Sequence, residues 1–494
     1  MNTPTINEAN ANVVHAHTKT CKYRIEETDG QKVLNNLSKN IECFTPTMWK
    51  HKCDELNEGI AGTPIPYKDA YKIIFIESLK QFASQQNIMF AKDGSLFYIY
   101  NEEYWVKISE DLIKEFLYTA AQKIGLPKSL ALCVKFNKAA YEQLLESGFY
   151  RKMTQSYITY LNLLNGTLKI SANGVELEEF NPKHFSTHQL NFAYDKNARN
   201  QDWLDFLDTA IPDKDTQKTL QQSIGYLFIR DLKLEKVFFL FGTGSNGKSV
   251  VFEIIKGLLA PDMMTNYSLV SLTNKLGYQL ADLNYKLINY GSDASMKNVD
   301  PAIFKQIVSG EPIGTRQIRE KAFTMKHYAK LIFNVNKITD ADIENTHGFF
   351  RRIVFIPFDV TIPKEKQDKK LHKKILQNKA GVLNWIIKGI EEVIKNEEIY
   401  MSEKCENFLE NFKKEASPIQ LFISVSGLIK KDKGSKEVIG NQELYDLYRE
   451  FCKKQGEKPT TQRAFNADLK LLGFESIRRN RGWVWFAKIQ TMHN

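Results

Sequence analysis

The chain opens without a hydrophobic period. Residues 1 to about 55 are polar, rich in Asn, Thr and Lys, and are expected to form a flexible or loosely packed arm. Pattern begins near residue 56. Tyr67 to Ala83 carries apolar residues at helical spacing, and Leu96–Tyr100 with Tyr104–Val106 reads as strand, turn and strand. Ile108 to Ile124 returns to helical spacing, with Ser109 as a cap and acidic residues in the first turn. Tyr157 to Ile170 alternates around Asn165-Gly166, a tight-turn signal. This mixture predicts an α+β domain over 56–195. Two helical segments follow, one from Trp203 and one from Thr216 to Phe228, the second with Leu220, Ile224, Leu227 and Phe228 on one stripe. They predict a helical collar over 196–235, suited to packing or to oligomer contacts.

From Lys236 the pattern changes to buried strands separated by helices. An apolar run ends at Phe241, a glycine-rich turn follows, and an amphipathic run continues to Leu259. Further strand-like runs cover Lys286–Asp293, Ala329–Asn336 and Phe349–Phe358. Pro301–Val308 reads as a helix, Gly310–Lys321 as a hairpin or loop, and Leu371–Val393 as a long amphipathic helix. Together they predict an α/β core over 236–400, an open and mostly parallel sheet with ligands at its strand ends. The tail over 416–494 reads as helix Gln442–Lys454, helix Thr461–Leu472 ended by Gly473, and a basic hairpin over Ser476–Phe486. That suggests a winged-helix module; the plainer alternative is a small α/β cap with an exposed hairpin.

Composition adds modestly to this picture. The 494 residues suffice for about three domains, and 43% hydrophobic with 26% charged residues is ordinary for a globular chain. The net charge is +10 and unevenly spread: residues 416–494 hold 14 Lys/Arg against 8 Asp/Glu. A local excess suits a polyanion, although a solvated charged face would look the same. The six cysteines include no C-x-x-C pair, which argues against a disulfide framework or a zinc ribbon and for a reducing, cytoplasmic setting. The first residues lack the features of a signal peptide, and no stretch approaches the roughly 18 apolar residues of a membrane span, so no membrane partner is expected.

The chemistry centres on Gly242-Thr243-Gly244-Ser245-Asn246-Gly247-Lys248-Ser249, a full match to G-x-x-x-x-G-K-[ST] in the required strand–loop–helix context. The glycines let backbone N–H groups wrap phosphate oxygens, Lys248 reaches the β- and γ-phosphates, and Ser249 offers a hydroxyl to Mg²⁺. ATP and Mg²⁺ are therefore the expected cofactors. Hydrolysis further needs a metal-holding acid, a polar sensor and extra positive charge. Asp293, 45 residues after Lys248 at a strand end, is the candidate acid, with Ser249 the second metal ligand. Asn336 is the candidate sensor, and Arg351 and Arg352 the candidate cations. Each has a plain alternative as a turn residue, a strand cap or a surface pair; their order after a complete phosphate loop favours the functional reading.

That order resembles the superfamily 3 helicases of phages, plasmids and large DNA viruses, within the helicase–primase branch that includes the poxvirus enzyme. The residues that carry the resemblance are Trp203-Leu-Asp-Phe-Leu207, Ile224-Gly225-Tyr226, the phosphate loop, Ser292-Asp293, Phe304-Lys305 with Ser309-Gly310-Glu311-Pro312, Asn336-Lys337, Gly348-Phe-Phe-Arg-Arg-Ile353, Ile356-Pro-Phe358 and Gly381-Val-Leu-Asn-Trp385. The resemblance covers about 85–490. It implies a modified AAA+ core assembled as a ring, usually a hexamer, with ATP between subunits and Arg352, or else Arg351, acting in trans. It also implies that Glu311–Lys321 forms the DNA-contacting loop, with Arg316, Arg319 and Lys321 as phosphate contacts; Arg478, Arg479 and Arg481 of the tail hairpin are further DNA candidates. Two departures stand out. Ser292 replaces a second acid found in many relatives, and no priming-site carboxylates are visible upstream, so helicase activity without priming is expected, with a separate primase or initiator as a possible partner. The leading expectation is an ATP-driven replicative helicase on single-stranded and forked DNA. The rivals are an origin-binding initiator ATPase and a packaging or general P-loop ATPase.

Overall fold

The computed structural model describes residues 28–494 except 59–62, 95, 149, 153–155, 293–297, 320, 337–346, 416–417, 456–458, 481 and 490–494. The chain divides into two units, Met1–Gln155 with Phe180–His188, and Ser156–Glu179 with Gln189–Asn494.

In the first unit, much of the expected polar arm is structured. Helices Asp29–Lys39 and Pro46–Asn57 each begin at a threonine cap, Thr28 accepting from Gln31 N and Thr45 from Met48 N, both at 3.3 Å. They bury Leu34, Leu37, Trp49 and Cys53 with helix Tyr67–Gln85 in one core. The polar composition hid two helices with narrow apolar stripes. The expected strand–turn–strand is present, Tyr100 pairing with Trp105 in an antiparallel register. Strands Phe90–Asp93 and Tyr150–Lys152 complete a four-stranded sheet. Ser109 caps helix Glu110–Lys123 through Leu112 N at 3.1 Å.

The second unit begins earlier than the expected boundary at 195. Strands Thr159–Leu163, Gly166–Ser171 and Gly174–Glu178 form a three-stranded meander whose Leu161, Leu163, Leu168 and Ile170 join the main core. Asn165 turns the first hairpin and secures it by side-chain bonds to the backbone of Tyr194. Helices Gln201–Ala210 and Lys214–Leu227 are the collar pair. The expected long helix is split: Leu371–Ile375 is followed, after a 3-10 turn, by Lys379–Asn396. Lys214–Leu227 and Lys379–Asn396 cross at paired glycines. A Cβ on Gly225 would lie 2.6 Å from Ile390 N, and one on Gly389 would lie 2.3 Å from Gln221 O.

The central sheet has five strands, all parallel: β1 Val237–Phe241, β2 Met264–Thr265, β3 Ile288–Gly291, β4 Lys330–Val335 and β5 Ile353–Pro357. Their order is β5-β1-β4-β3-β2. Alternation sends Phe238 and Leu240 of β1 into one core with the helices Lys248–Leu258, Lys214–Leu227 and Lys379–Asn396. Val237 and Phe239 enter a second core with Phe304, Phe349 and Phe412. A strand buried on both faces needs the continuous apolar run that β1 has. The tail forms its own core around Phe422, Tyr448, Phe465 and Trp485. Its elements run helix Pro418–Val425, strands Leu428–Lys430 and Ile439–Gly440, helices Asn441–Gln455 and Gln462–Leu471, hairpin Ser476–Arg479 with Gly482–Trp485, then strand Ala487–Ile489. The predicted helix–helix–hairpin is thus extended by a helix and two strands at its front and a strand at its end; Ile439–Gly440 pairs with the second hairpin arm, and Leu428–Lys430 with Ala487–Ile489. Among the described residues no helix is long and apolar enough to cross a membrane.

The glycine crossing gives a stability test. Gly389→Ala is expected to cost about 1–3 kcal/mol through overpacking, seen as a lowered thermal midpoint. Gly314→Ala, with open space at its Cβ position, should stay within about 0.5 kcal/mol of wild type.

Candidate functional site

The glycine-rich loop leaves the carboxyl end of β1 in the middle of the sheet. Gly242 N donates to Val335 O of β4 at 3.0 Å, and Phe358 N, just past β5, donates to Phe241 O at 2.7 Å, so the loop starts between its two neighbours. Inside it, Lys248 Nζ donates to Gly242 O at 2.6 Å and to Asn246 Oδ1 at 2.9 Å. Asn246 Nδ2 in turn donates to Phe358 O at 3.1 Å. Asn246 is buried, and its side chain holds the loop in shape; only its backbone amide is available to a ligand. Gly242 is needed because a Cβ there would collide with the Asn246 amide at 1.9 Å. Gly247 has φ +92° and lies against Phe206, whose ring a Cβ would meet at 2.7 Å.

Among the described residues, nothing accepts a hydrogen bond from the backbone amides of Thr243, Gly244, Ser245, Asn246, Gly247, Lys248 or Ser249. Gly247, the cap position of helix Lys248–Leu258, offers no side chain to the helix's first amides. Seven consecutive donors therefore converge where the helix dipole is positive. Lys248 is buried, with no carboxylate bonded to it among the described residues, and burial pushes its ammonium below the usual lysine value. Unpaired amides at a helix start beside a buried lysine are chemically suited to an anion. Thr243 and Ser249 are exposed beside it. A cavity of about 580 Å³ in the same unit is lined by Asp213, Asp215, Pro357, Asp359, Glu403 and Lys404, among others, and by none of the loop residues. Pro357 and Asp359 flank the Phe358 carbonyl that Asn246 holds.

Asn336 directly follows Val335, whose carbonyl binds the first loop glycine, so it sits exposed at the strand end beside the loop. Ser292 follows β3, its amide donating to Asn266 Oδ1 at 3.2 Å. Asp293 lies outside the described residues. The structure therefore brings the loop, Lys248, Ser249 and Asn336 together at the carboxyl edge of the sheet.

Arg351 and Arg352 are elsewhere. Val237 N donates to Arg352 O at 2.9 Å, which sets the arginines level with the start of β1. One strand length, roughly 16 Å, separates them from the loop of the same chain. The two also differ in kind. Arg352 is buried, its guanidinium bonded to Ser309 Oγ at 2.8 and 3.0 Å and to Gly348 O, and ion-paired with Glu235 at 3.1 Å. Arg351 is half exposed and, among the described residues, its side chain pairs with the same Glu235, at 2.8 Å. Arg352 is thus the more deeply tied into the fold, and Arg351 the more exposed of the two. Glu235 was not singled out in the sequence, because nothing local to it marks a carboxylate shared by two distant arginines.

The Gly310–Lys321 segment holds the first arm and the turn of a hairpin that closes beyond it, Ile313–Thr315 pairing antiparallel with Phe323–Met325. It leads into the amino end of β4, the edge that also carries the arginines. Arg316 lies back against Tyr278, 5.4 Å from the ring centre. Arg319 and Lys321 are exposed at the tip beside Ile318, which is 68% exposed. In the tail hairpin, Arg478 and Arg479 are exposed, pairing in register with Trp483 and Gly482. Trp483 is itself exposed and lies 5.8 Å beneath Lys470 Nζ. Arg481 lies outside the described residues.

Residues 240–352 match a family described as a family of unknown function, DUF5906. No curated protein shows significant similarity to the chain. Among solved structures, the A form apo structure of the NrS-1 C terminal region is similar at 13% identity and TM-score 0.47, over 83% of this chain and 98% of the other. The apo structure of NrS-1 C terminal region (305-718) is similar at 14% identity and TM-score 0.47, over 85% of this chain and 99% of the other.

Proposed function

We propose that the chain is an ATP hydrolase that drives translocation along single-stranded DNA, a helicase that works as a ring of copies. The observation that carries this reading is the run of seven amides at a helix start, unpaired among the described residues, with the buried Lys248 beside them. Such an arrangement suits a polyphosphate. Ser249 and Asp293 are the residues assigned to Mg²⁺, which when bound with the triphosphate neutralises charge on the β- and γ-oxygens. Asn336 is assigned to the γ-phosphate and its attacking water.

The order β5-β1-β4-β3-β2, with the loop after β1, a strand flanked on both sides, supports an AAA+ type of core, and the tail's two consecutive helices followed by a hairpin support a winged helix. The distance of the arginines from their own loop supports action on a neighbouring copy's nucleotide. Arg351 is the residue assigned to that task, and Arg352 holds it through Glu235. The exposed cations of the hairpin tip are assigned to phosphates of the strand, a sequence-independent and salt-sensitive contact suited to movement.

Strand displacement on a forked duplex tests the whole reading: DNA-stimulated hydrolysis without unwinding would favour an initiator or packaging ATPase instead. Lys248→Ala is expected to abolish ATP turnover, and turnover at wild-type rate would place the site elsewhere. Arg351→Ala should bind nucleotide normally yet hydrolyse it about 10³-fold more slowly, with activity partly restored in mixed assemblies with Lys248→Ala. Arg352→Ala should instead lower stability by about 2 kcal/mol or more, because Ser309 and Glu235 lose a buried partner; an unchanged melting temperature would contradict this division. Lys321→Ala should weaken oligonucleotide binding and flatten its salt dependence by about one phosphate contact, measured by fluorescence anisotropy across a salt series.

A further inference from the structure

A second cavity, of about 220 Å³, lies in the same unit at the foot of the hairpin. Its walls come from five stretches that are distant in sequence: Tyr157, ahead of the meander; the end of the collar and the lead into β1, residues 226–236; Leu287; residues 307–310; and the descending stem of the hairpin with the start of β4, residues 326–331. The lining holds five Lys or Arg side chains, Arg230, Lys233, Lys236, Lys326 and Lys330, and one carboxylate, Asp231. Asp231 offers the cavity little compensation, since both its oxygens accept from Ala172 N, at 2.9 and 3.0 Å. Nearby Glu235 is already shared by Arg351 and Arg352.

Not all five cations are equally available. Lys330 is spent on the carbonyls of Tyr226, Ile229 and Leu232, and it anchors the collar to β4. Arg230 uses one nitrogen on Tyr285 O at 2.8 Å, and Lys236 gives one bond to Arg351 O at 2.7 Å. Both keep further donors. Lys233 reaches Glu235 only at 4.0 Å, and Lys326 is exposed at the mouth. Burial holds Arg230 down to about 10, and burial followed by the neighbouring Arg230 and Lys326 charges holds His327 below its usual value, so the group is a crowd of like charges. The remaining wall is aliphatic, from Leu227, Leu232, Leu287, Ile307, Val308 and Leu331, with aromatic rings among them. Tyr157, 61% exposed, meets His327 edge-on at 4.1 Å. Tyr328 Oη donates to Glu311 O at 2.8 Å and so ties this wall to the ascending stem of the hairpin.

An excess of cations over carboxylates, beside an exposed ring, is the combination that holds a nucleotide of a single strand: charge for the phosphate, a π-face for the base. We propose that this cavity takes one phosphate–sugar–base unit of single-stranded nucleic acid, gripped below the hairpin tip. Lys233, Lys326 and Arg230 contact the phosphate, and Tyr157 receives the base. The inference rests on the translocase reading and adds to it a contact away from the tip. A strand held here would touch both the hairpin stem and, through Lys236, the backbone of Arg351.

The test uses the full chain and a labelled oligothymidylate in fluorescence anisotropy over a salt series. Lys233→Glu with Lys326→Glu is expected to weaken binding at least tenfold and to lower the salt slope by about 1.4, two single-strand contacts, with the melting temperature retained because both residues are exposed. Tyr157→Ala should weaken binding about fivefold or more, with Tyr157→Phe restoring it. If wild type binds the oligonucleotide and the double variant binds with the same affinity and slope, the cavity assignment is overturned while the translocase reading stands. If wild type fails to bind the oligonucleotide with or without an ATP analogue, the translocase reading falls and takes the cavity with it. Competition arms with thymidine monophosphate and with inorganic phosphate distinguish the source of the anion. Displacement of the oligonucleotide by either at micromolar concentration would mark a free-nucleotide or phosphate site and overturn the strand assignment.

Discussion

The structure of the second unit depends on β1 being buried on both faces with parallel neighbours on both sides. Its side chains alternate between two cores, and Phe239 stacks on Phe333 of β4 at 5.6 Å while packing against Phe355 of β5 at 5.5 Å. A strand held this way cannot slip by one residue without exchanging its two faces. The carboxyl end of β1 is therefore fixed, and with it the point where the phosphate loop begins.

Parallel strands also give the sheet two chemically different edges. At the carboxyl edge, free amides, Lys248 and Asn336 gather around an anion cradle. At the amino edge lie the arginine pair, the hairpin and the cationic cavity beneath it. Nothing within one chain brings the two edges together, because β1 stands between them. The proposal that Arg351 acts on a neighbouring copy rests on that separation. The amino edge is itself tightly connected. Arg352 bonds Ser309, four residues ahead of the first hairpin arm, and shares Glu235 with Arg351, while Lys236 binds the carbonyl of Arg351. A displacement of the arginine pair would be felt at the hairpin stem through these bonds.

Features made from neighbouring residues were legible in the sequence. The phosphate loop, the Ser109 cap, the Asn165 turn, the buried strands and both hairpins follow from local spacing and turn chemistry. The glycines quoted in the family resemblance were legible as residues but not as reasons. Gly225 proves to be a helix-crossing glycine, and Gly381 packs so closely that a Cβ would meet Asn200 N at 2.4 Å. The two helices of 29–57 were missed because their apolar stripes are narrow within a polar composition. Trp49 and Cys53 count as core residues only once helix Tyr67–Gln85 is beside them. The boundary near 155 was missed for a related reason: the meander's strands look the same whichever core receives them.

The sequence by itself determined that a phosphate loop would sit between a buried strand and a helix, since contiguous residues make it and backbone geometry suffices. It also determined the order of the strands along the chain and the basic character of the tail. Only the tertiary structure decided which arginine is buried. Burial of Arg352 depends on Glu235, Ser309 and Gly348, and Glu235 is 116 residues from Arg351. Only the tertiary structure turned Asn246 from a phosphate contact into a brace for the loop, and only it assembled a cationic cavity from segments around 157, 230 and 327. Hydrogen-bond saturation and charge crowding are properties of neighbours in space, and a linear chain fixes those neighbours only by folding.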